Sequence, residues 1–146
     1  LNGNGADYPG FEAIIDDYGT TDAANLAKAY AGICYFKLGD TKKALDLLKS
    51  YDGSDKMIAP SVTGLIGDCL VNEGKVKDGI GYFEKAASQA DNEVISPVYL
   101  KKAGLAYESL NQPKDAVKAY TTIKEKYFNS LEAADIDKYI ARASAK

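Results

Sequence analysis

An all-α stack of antiparallel helix pairs is the fold that the sequence predicts, and three observations predict it. The first is a repeated phrase, small-x-x-large-x-x-x-Gly followed by small-x-x-x-large. It reads Gly32, Tyr35, Gly39, Ala44, Leu48, then Gly67, Leu70, Gly74, Gly79, Phe83, then Gly104, Tyr107, Asn111, Ala116, Tyr120. The copies are offset by 35 and 37 residues with the same internal spacing, the mark of a repeat architecture. The second is that apolar residues recur at i, i+3, i+4 and i+7, which places them on one helical face. The third is punctuation. Gly39, Gly74 and Asn111 stand where each first helix must stop, and Gly and Asn tolerate the left-handed conformation of a helix end. Strand signals are absent.

The elements follow in order, about eight helices in all. Phe11-x-x-Ile14-x-x-x-Tyr18-x-x-Thr21 matches Tyr120-x-x-Ile123-x-x-x-Tyr127-x-x-Ser130. The leading helix, about 8–18, is thus a second helix whose own first helix is missing. Thr21 is the expected N-cap of the next, 22–38. Helices at 41–52 and 56–73 are joined by Asp52-Gly53-Ser54-Asp55, and those at 76–90 and 96–110 by Ala90-Asp91-Asn92-Glu93. Ser96-Pro97 supplies N-cap and N1 signals. A helix at 113–127 precedes a closing one at 130–144, with Ser130 as N-cap, Asn129 and Glu132 at capping-box spacing, and Ile136, Tyr139 and Ile140 at helical spacing. Within each pair, Gly32, Gly67 and Gly104 are expected where the first helix closely approaches the second, with Ala44, Gly79 and Ala116 as their small counterparts.

This pattern resembles the tetratricopeptide repeat family. Counted from Asn25, Pro60 and Pro97, the signature positions 8, 11, 15, 20, 24 and 27 are all matched in the second unit, ending at Ala86. The first and third units match five, with Tyr51 and Ile123 where a small residue is usual, and no unit has the family's Trp at position 4. The resemblance implies one domain over 1–146, with units at about 25–59, 60–96 and 97–130, forming a right-handed superhelix whose inner face is lined by first helices. It also implies a non-catalytic scaffold that binds a partner peptide or helix in that concave groove. More narrowly, the Tyr-x-x-Ile-x-x-x-Tyr phrase, Asn-Ser and an Ala-rich closing helix look like repeat proteins of the bacterial envelope, including a membrane-anchored type that accompanies the Sec translocon. The Pro usual after the last Tyr is replaced by Gly19 and Phe128. That likeness implies a periplasmic domain, acting in export or assembly, with an N-terminal anchor upstream of Leu1; a cytoplasmic location is the alternative.

Composition bounds the chemistry. The chain has 146 residues, 46% hydrophobic and 27% charged, with net charge −3, one arginine and no histidine. Without histidine the usual general base and the commonest metal ligand are both missing, so no enzyme activity, metal or cofactor is expected. A weakly acidic chain almost free of Arg is a poor nucleic-acid binder. Asp16-Asp17 and Asp135-x-Asp137 read as solvated helix faces, since adjacent helical side chains diverge. Gly79-x-Gly81 and Gly64-x-x-Gly67 lack the strand–turn–helix setting of a phosphate loop. Cys34 and Cys69 occupy the same repeat position about 8–10 Å apart, beyond disulfide reach, and read as small packing residues. Leu1-Asn2-Gly3-Asn4-Gly5 has no Met, basic run or apolar core, so a processed chain or a piece of a longer one is expected.

By position in the family's repeat, the candidate partner-binding residues are Leu26, Ile33 and Phe36 on one first helix, Asp68 and Asn72 on the next, and Lys101, Leu105 and Glu108 on the third. Ala29 and Gly64 belong to the same implied lining. The apolar stripe of Leu26, Ile33 and Phe36 has two readings, a partner groove or packing on Ile14, Ile15 and Tyr18. The chaperone-type carboxylate clamp of the family is not matched, because Ala29, Ile33 and Leu65 stand at clamp positions and only Lys102 fits. Tyr82 and Tyr99 are further contact candidates. The alternative function is self-association of a structural module within a larger membrane-anchored protein, through Phe11, Ile14 and Ile15.

Overall fold

The computed structural model describes residues 10–19 and 21–145. The Leu1–Gly5 reading and the first two residues of the predicted leading helix lie outside them. Among the described residues there are eight α-helices and no strand: α1 (Phe11–Tyr18), α2 (Asp22–Lys37), α3 (Thr41–Lys49), α4 (Ile58–Asn72), α5 (Val76–Ala90), α6 (Ser96–Ser109), α7 (Pro113–Lys126) and α8 (Ile136–Ser144), the last preceded by a 3-10 turn, Glu132–Asp135. Each helix packs on its neighbours in sequence, a stack of helix pairs consistent with the expected helical superhelix.

The repeated phrase sets this geometry. Gly39 (φ 83°), Gly74 (φ 79°) and Asn111 (φ 57°) adopt the left-handed conformation and end the first helices. A Cβ on Gly32 would lie 2.7 Å from the Leu48 side chain, one on Gly67 2.7 Å from the Phe83 ring, and one on Gly104 2.2 Å from the Tyr120 ring. The small residue at the start of each phrase is therefore the seat for the large residue at its end. Leu48, Phe83 and Tyr120 are in turn almost wholly buried, as are Ala44, Gly79 and Ala116.

The caps agree in part. Thr21 Oγ1 accepts the Ala24 N–H and Asp40 Oδ1 the Lys43 N–H. Ser130 Oγ accepts the Ala133 N–H, so Ser130 rather than the Asn129 capping box opens the closing segment, and it does so as a 3-10 turn. Ser96 does not cap α6. Asn92 Oδ1 accepts the Val94 and Ile95 N–H groups one turn earlier. That frees Ser96, fully buried, to donate to the Ala87 carbonyl and tie the end of α5 to α6. Tyr51, the exception at position 27 of the first unit, is half-buried and folds over Gly53.

Cys34 and Cys69 are both free, but they are not equivalent. Cys69 is fully buried, and burial with the nearby Asp68 charge pushes its thiol up to about 11. Cys34 is only half-buried. Since the thiolate is the reactive form, iodoacetamide at pH 8 is expected to label Cys34 in the native chain. Cys69 should label only once denaturant is added, and peptide mass mapping reads both.

Candidate functional site

The candidate residues stand on the first helices α2, α4 and α6, and the charged ones are bonded from one first helix to the next or on to the closing segment. Both carboxylate oxygens of Asp68 (α4) accept from Lys102 Nζ (α6), at 2.8 and 2.6 Å. Lys101 Nζ donates to Asp135 at 2.9 Å and lies 4.5 Å from the centre of the Tyr139 ring. Glu108 accepts from Arg142 Nε at 3.2 Å and Nη2 at 2.5 Å, and from the Tyr120 hydroxyl at 2.9 Å. All three ion pairs join residues 34 apart, one repeat period. They form a ladder that ties the second unit to the third and the third to the closing segment.

The ladder perturbs its own members. Hydrogen bonds from Lys138 and Lys101 hold the Asp135 carboxyl below the usual carboxylate range. Burial disfavours the charge on Lys101, yet the hydrogen bond to Asp135 and the electrostatic interactions with Tyr139 and Asp135 outweigh it and raise its pKa. Burial, and then the hydrogen bond to Glu108, raise the Tyr120 hydroxyl. Partly exposed pairs of this kind contribute about 0.2–1 kcal/mol each. Their larger effect is geometric, since three bridges at one spacing fix the register of α6 against α4 on one side and against the closing segment on the other.

Asp68, Lys101 and Glu108 are therefore engaged before any partner arrives, and the Glu108 side chain is only 7% exposed. Asn72 is exposed at the end of α4, and Leu105 is 44% exposed on α6. Ile33 is half-buried. Phe36 is half-buried as well and packs against the core around Leu48 and Ile66. Leu26 stands apart, in a cleft of about 360 Å³ with Tyr51 and Ile58. There Asn25 exchanges two hydrogen bonds with the Asp52 backbone, at 2.6 and 2.8 Å.

Several expectations are corrected. Ala29 is 1% exposed and belongs to the core, not to the lining. Gly64 is covered by the Tyr99 ring, which a Cβ there would meet at 2.0 Å. Tyr99 is therefore a packing residue, stacked at 6.2 Å on Phe83, its hydroxyl pushed up to about 12 by burial and the Asp68 charge. Asp135 is not a solvated face residue but a double ion-pair acceptor, to Lys101 and Lys138. Lys102, the one clamp-like residue, is committed to Asp68. Tyr18 is exposed rather than packed. The named contacts of α1 with α2 are a Phe11–Tyr30 stack at 5.7 Å and a hydrogen bond from the Tyr35 hydroxyl to Glu12.

The sequence profile of the tetratricopeptide repeat matches residues 30–51 and 99–130. Over those segments the chain is similar to tetratricopeptide repeats. Such repeats generally mediate protein–protein interaction and are typically non-catalytic scaffolds. The matched segments hold the turn and second helix of the first unit and most of the third; the second unit lies between them and has the same helix-pair geometry. No curated protein matches the chain. Among the described residues, no three His, Cys, Asp or Glu side chains come together as a metal site. No helix among them is long and apolar enough to cross a membrane.

Arg142, Asp135 and Tyr139 are the partners of α6 that sequence reasoning missed. A signal for them existed. Opposite charges recur 34 residues apart at 68/102, 101/135 and 108/142, but their meaning depends on knowing which first helices face one another.

Proposed function

We propose that the chain is a protein-binding scaffold whose inner face receives an extended peptide or amphipathic helix. The observation that carries this reading is the division of that face. Its charged residues are cross-linked into a rigid ladder, while Ile33, Leu105 and Asn72 are left with accessible surface. A face already ordered by its own ion pairs loses little conformational entropy on binding, and apolar anchors in a fixed frame suit helix-in-groove or extended-peptide recognition.

The likeness of the Tyr-x-x-Ile-x-x-x-Tyr phrase to envelope repeat proteins supports a place for this scaffold on the periplasmic side of a bacterial envelope, in export or assembly. A second reading is self-association through α1. It is favoured by one observation: none of the residues of α1 is fully buried, although Phe11, Ile14 and Ile15 are apolar.

The test is capture of partners by the wild-type chain beside Ile33→Asp/Leu105→Asp, with circular dichroism of both. Phe36 is avoided because it packs on the core. The captured partner is expected to bind the variant at least about tenfold more weakly, the size of effect that central interface residues show, with helicity unchanged. Equal capture by both chains would remove the inner-face assignment. A mass that doubles with concentration, and reverts in Ile14→Asp, would instead establish the α1 reading.

A further inference from the structure

The outer side of the stack carries a second feature that neither the repeat pattern nor the inner face explains. Helices α3 and α5 both pack on α4 and leave between them a cleft of about 510 Å³, floored by Leu70 and edged by Lys49, Lys77, Tyr82 and Lys85. Three lysines there face a single carboxylate, Asp78, on a chain of net charge −3. Lys49, Lys77 and Lys85 are all exposed and make no ion pair with a described residue. Other lysines, such as Lys114 and Lys118, are also without an ion pair to a described residue, but Lys49, Lys77 and Lys85 converge on one cleft.

Gly81 lies between them in the middle of α5. A glycine in a helix interior is destabilising, and its neighbour Gly79 shows what justifies one: a Cβ there would meet Val71 at 2.6 Å and the Gly67 carbonyl at 2.9 Å. Gly81 has no such reason, because a Cβ built on it meets nothing within 4 Å. Bare helix backbone opening on space is what close approach by something outside the chain requires. Lys77, Gly81 and Lys85 fall at i, i+4 and i+8, on one face. The glycine is thus a notch between two unpaired cations.

We propose that this outer cleft docks an extended acidic segment of a partner protein, whose backbone crosses Gly81 and whose carboxylates meet Lys77 and Lys85. The spacing selects this occupant. The rise between Lys77 and Lys85, eight helical residues, is about 12 Å. It matches about four residues of extended chain at roughly 3.3 Å each, so acidic residues four apart would reach both. Lysines are point charges rather than planar forks, which suits separate carboxylates. The adjoining hollow of about 250 Å³, shared at Lys49, Tyr82 and Lys85 and ending near Gln89 and Asp52, continues the path. This site stands apart from the inner face, and the two fail independently.

The test is fluorescence anisotropy with a labelled peptide of about twelve residues carrying glutamates four apart, on the whole chain, at low and high salt. Wild type is expected to bind with an affinity that falls as salt rises. Lys77→Glu/Lys85→Glu should weaken binding at least about tenfold, as reversal of facing charges does, while the same charge change at Lys114→Glu/Lys118→Glu on α7 should have less than about a twofold effect. Gly81→Gln fills the notch with a better helix former, so it should melt no lower than wild type and still bind several-fold more weakly. Absence of binding at about 1 mM peptide, equal losses from the α5 and α7 pairs, or full binding by Gly81→Gln would each overturn the proposal. So would preferential binding of phosphatidylglycerol vesicles or inorganic phosphate over the peptide.

Discussion

Replacing Tyr120 with alanine is expected to cost the fold about 3–5 kcal/mol, the range for deleting a buried aromatic ring. The ring is 0% exposed. It sits against the bare backbone of Gly104, where even a Cβ would lie 2.2 Å away, and 5.5 Å from the centre of the Tyr139 ring. Its hydroxyl donates to Glu108, which Arg142 also bridges. One side chain therefore joins α6, α7 and α8. At about 2.1 cal/mol/K of unfolding entropy per residue, this loss lowers Tm by roughly 10–15 °C.

Tyr120→Phe separates the ring from the hydroxyl. It keeps the packing and removes one hydrogen bond, so about 1 kcal/mol should go. Stability in a repeat stack is close to a sum of unit and neighbour terms. The alanine variant should therefore open from its C-terminal end, with amides of α7 and α8 losing hydrogen-exchange protection before those of α3 and α4. A loss below about 1 kcal/mol in Tyr120→Ala, or uniform loss of protection, would contradict this account of how the end is closed.

The reach of the sequence is visible in the same residues. Gly104, Asn111, Ala116 and Tyr120 were legible because each satisfies a local demand: a close approach, a left-handed stop, a small seat, a large plug. Those demands recur in every unit, so periodicity exposes them. Ser96 departs from its sequence signal for the opposite reason. Locally, Ser before Pro is a helix start, but Asn92 takes the capping bonds and Ser96 is drawn to the Ala87 carbonyl of the preceding helix.

The ladder shows a further limit. Lys101, Asp68 and Glu108 could be placed on the inner face from position alone, yet not paired, because pairing depends on how neighbouring units are rotated. Tyr99 was unconstrained in sequence for a similar reason. Its seat, Gly64, is on another helix 35 residues away. A reading confined to single helices assigns faces; it does not assign what lies across them.

Tyr99 also sets the second large effect, expected from Gly67→Val. Gly67 of α4 seats the Phe83 ring of α5, and a Cβ there would lie 2.7 Å from the ring and 3.0 Å from the Gly79 carbonyl. The ring cannot retreat freely, since it stacks on Tyr99 of α6, and Tyr99 already lies on Gly64. Three consecutive helices thus interlock through two glycines and two rings. Overpacking a filled core costs about 1–3 kcal/mol, occasionally more, and here the backbone carbonyl offers no escape. A loss of about 3 kcal/mol is expected, against the few tenths gained from valine's better helix propensity. Gly81→Ala on the adjacent helix is the control, because it meets open space and should gain about 0.5–1 kcal/mol. The interlock also predicts coupling. In Gly67→Val/Phe83→Ala the new methyls enter the space the ring has left, so the double variant should be more stable than the sum of its parts implies by at least about 1 kcal/mol. Strict additivity in urea titrations would mean that Gly67 and Phe83 do not share that space.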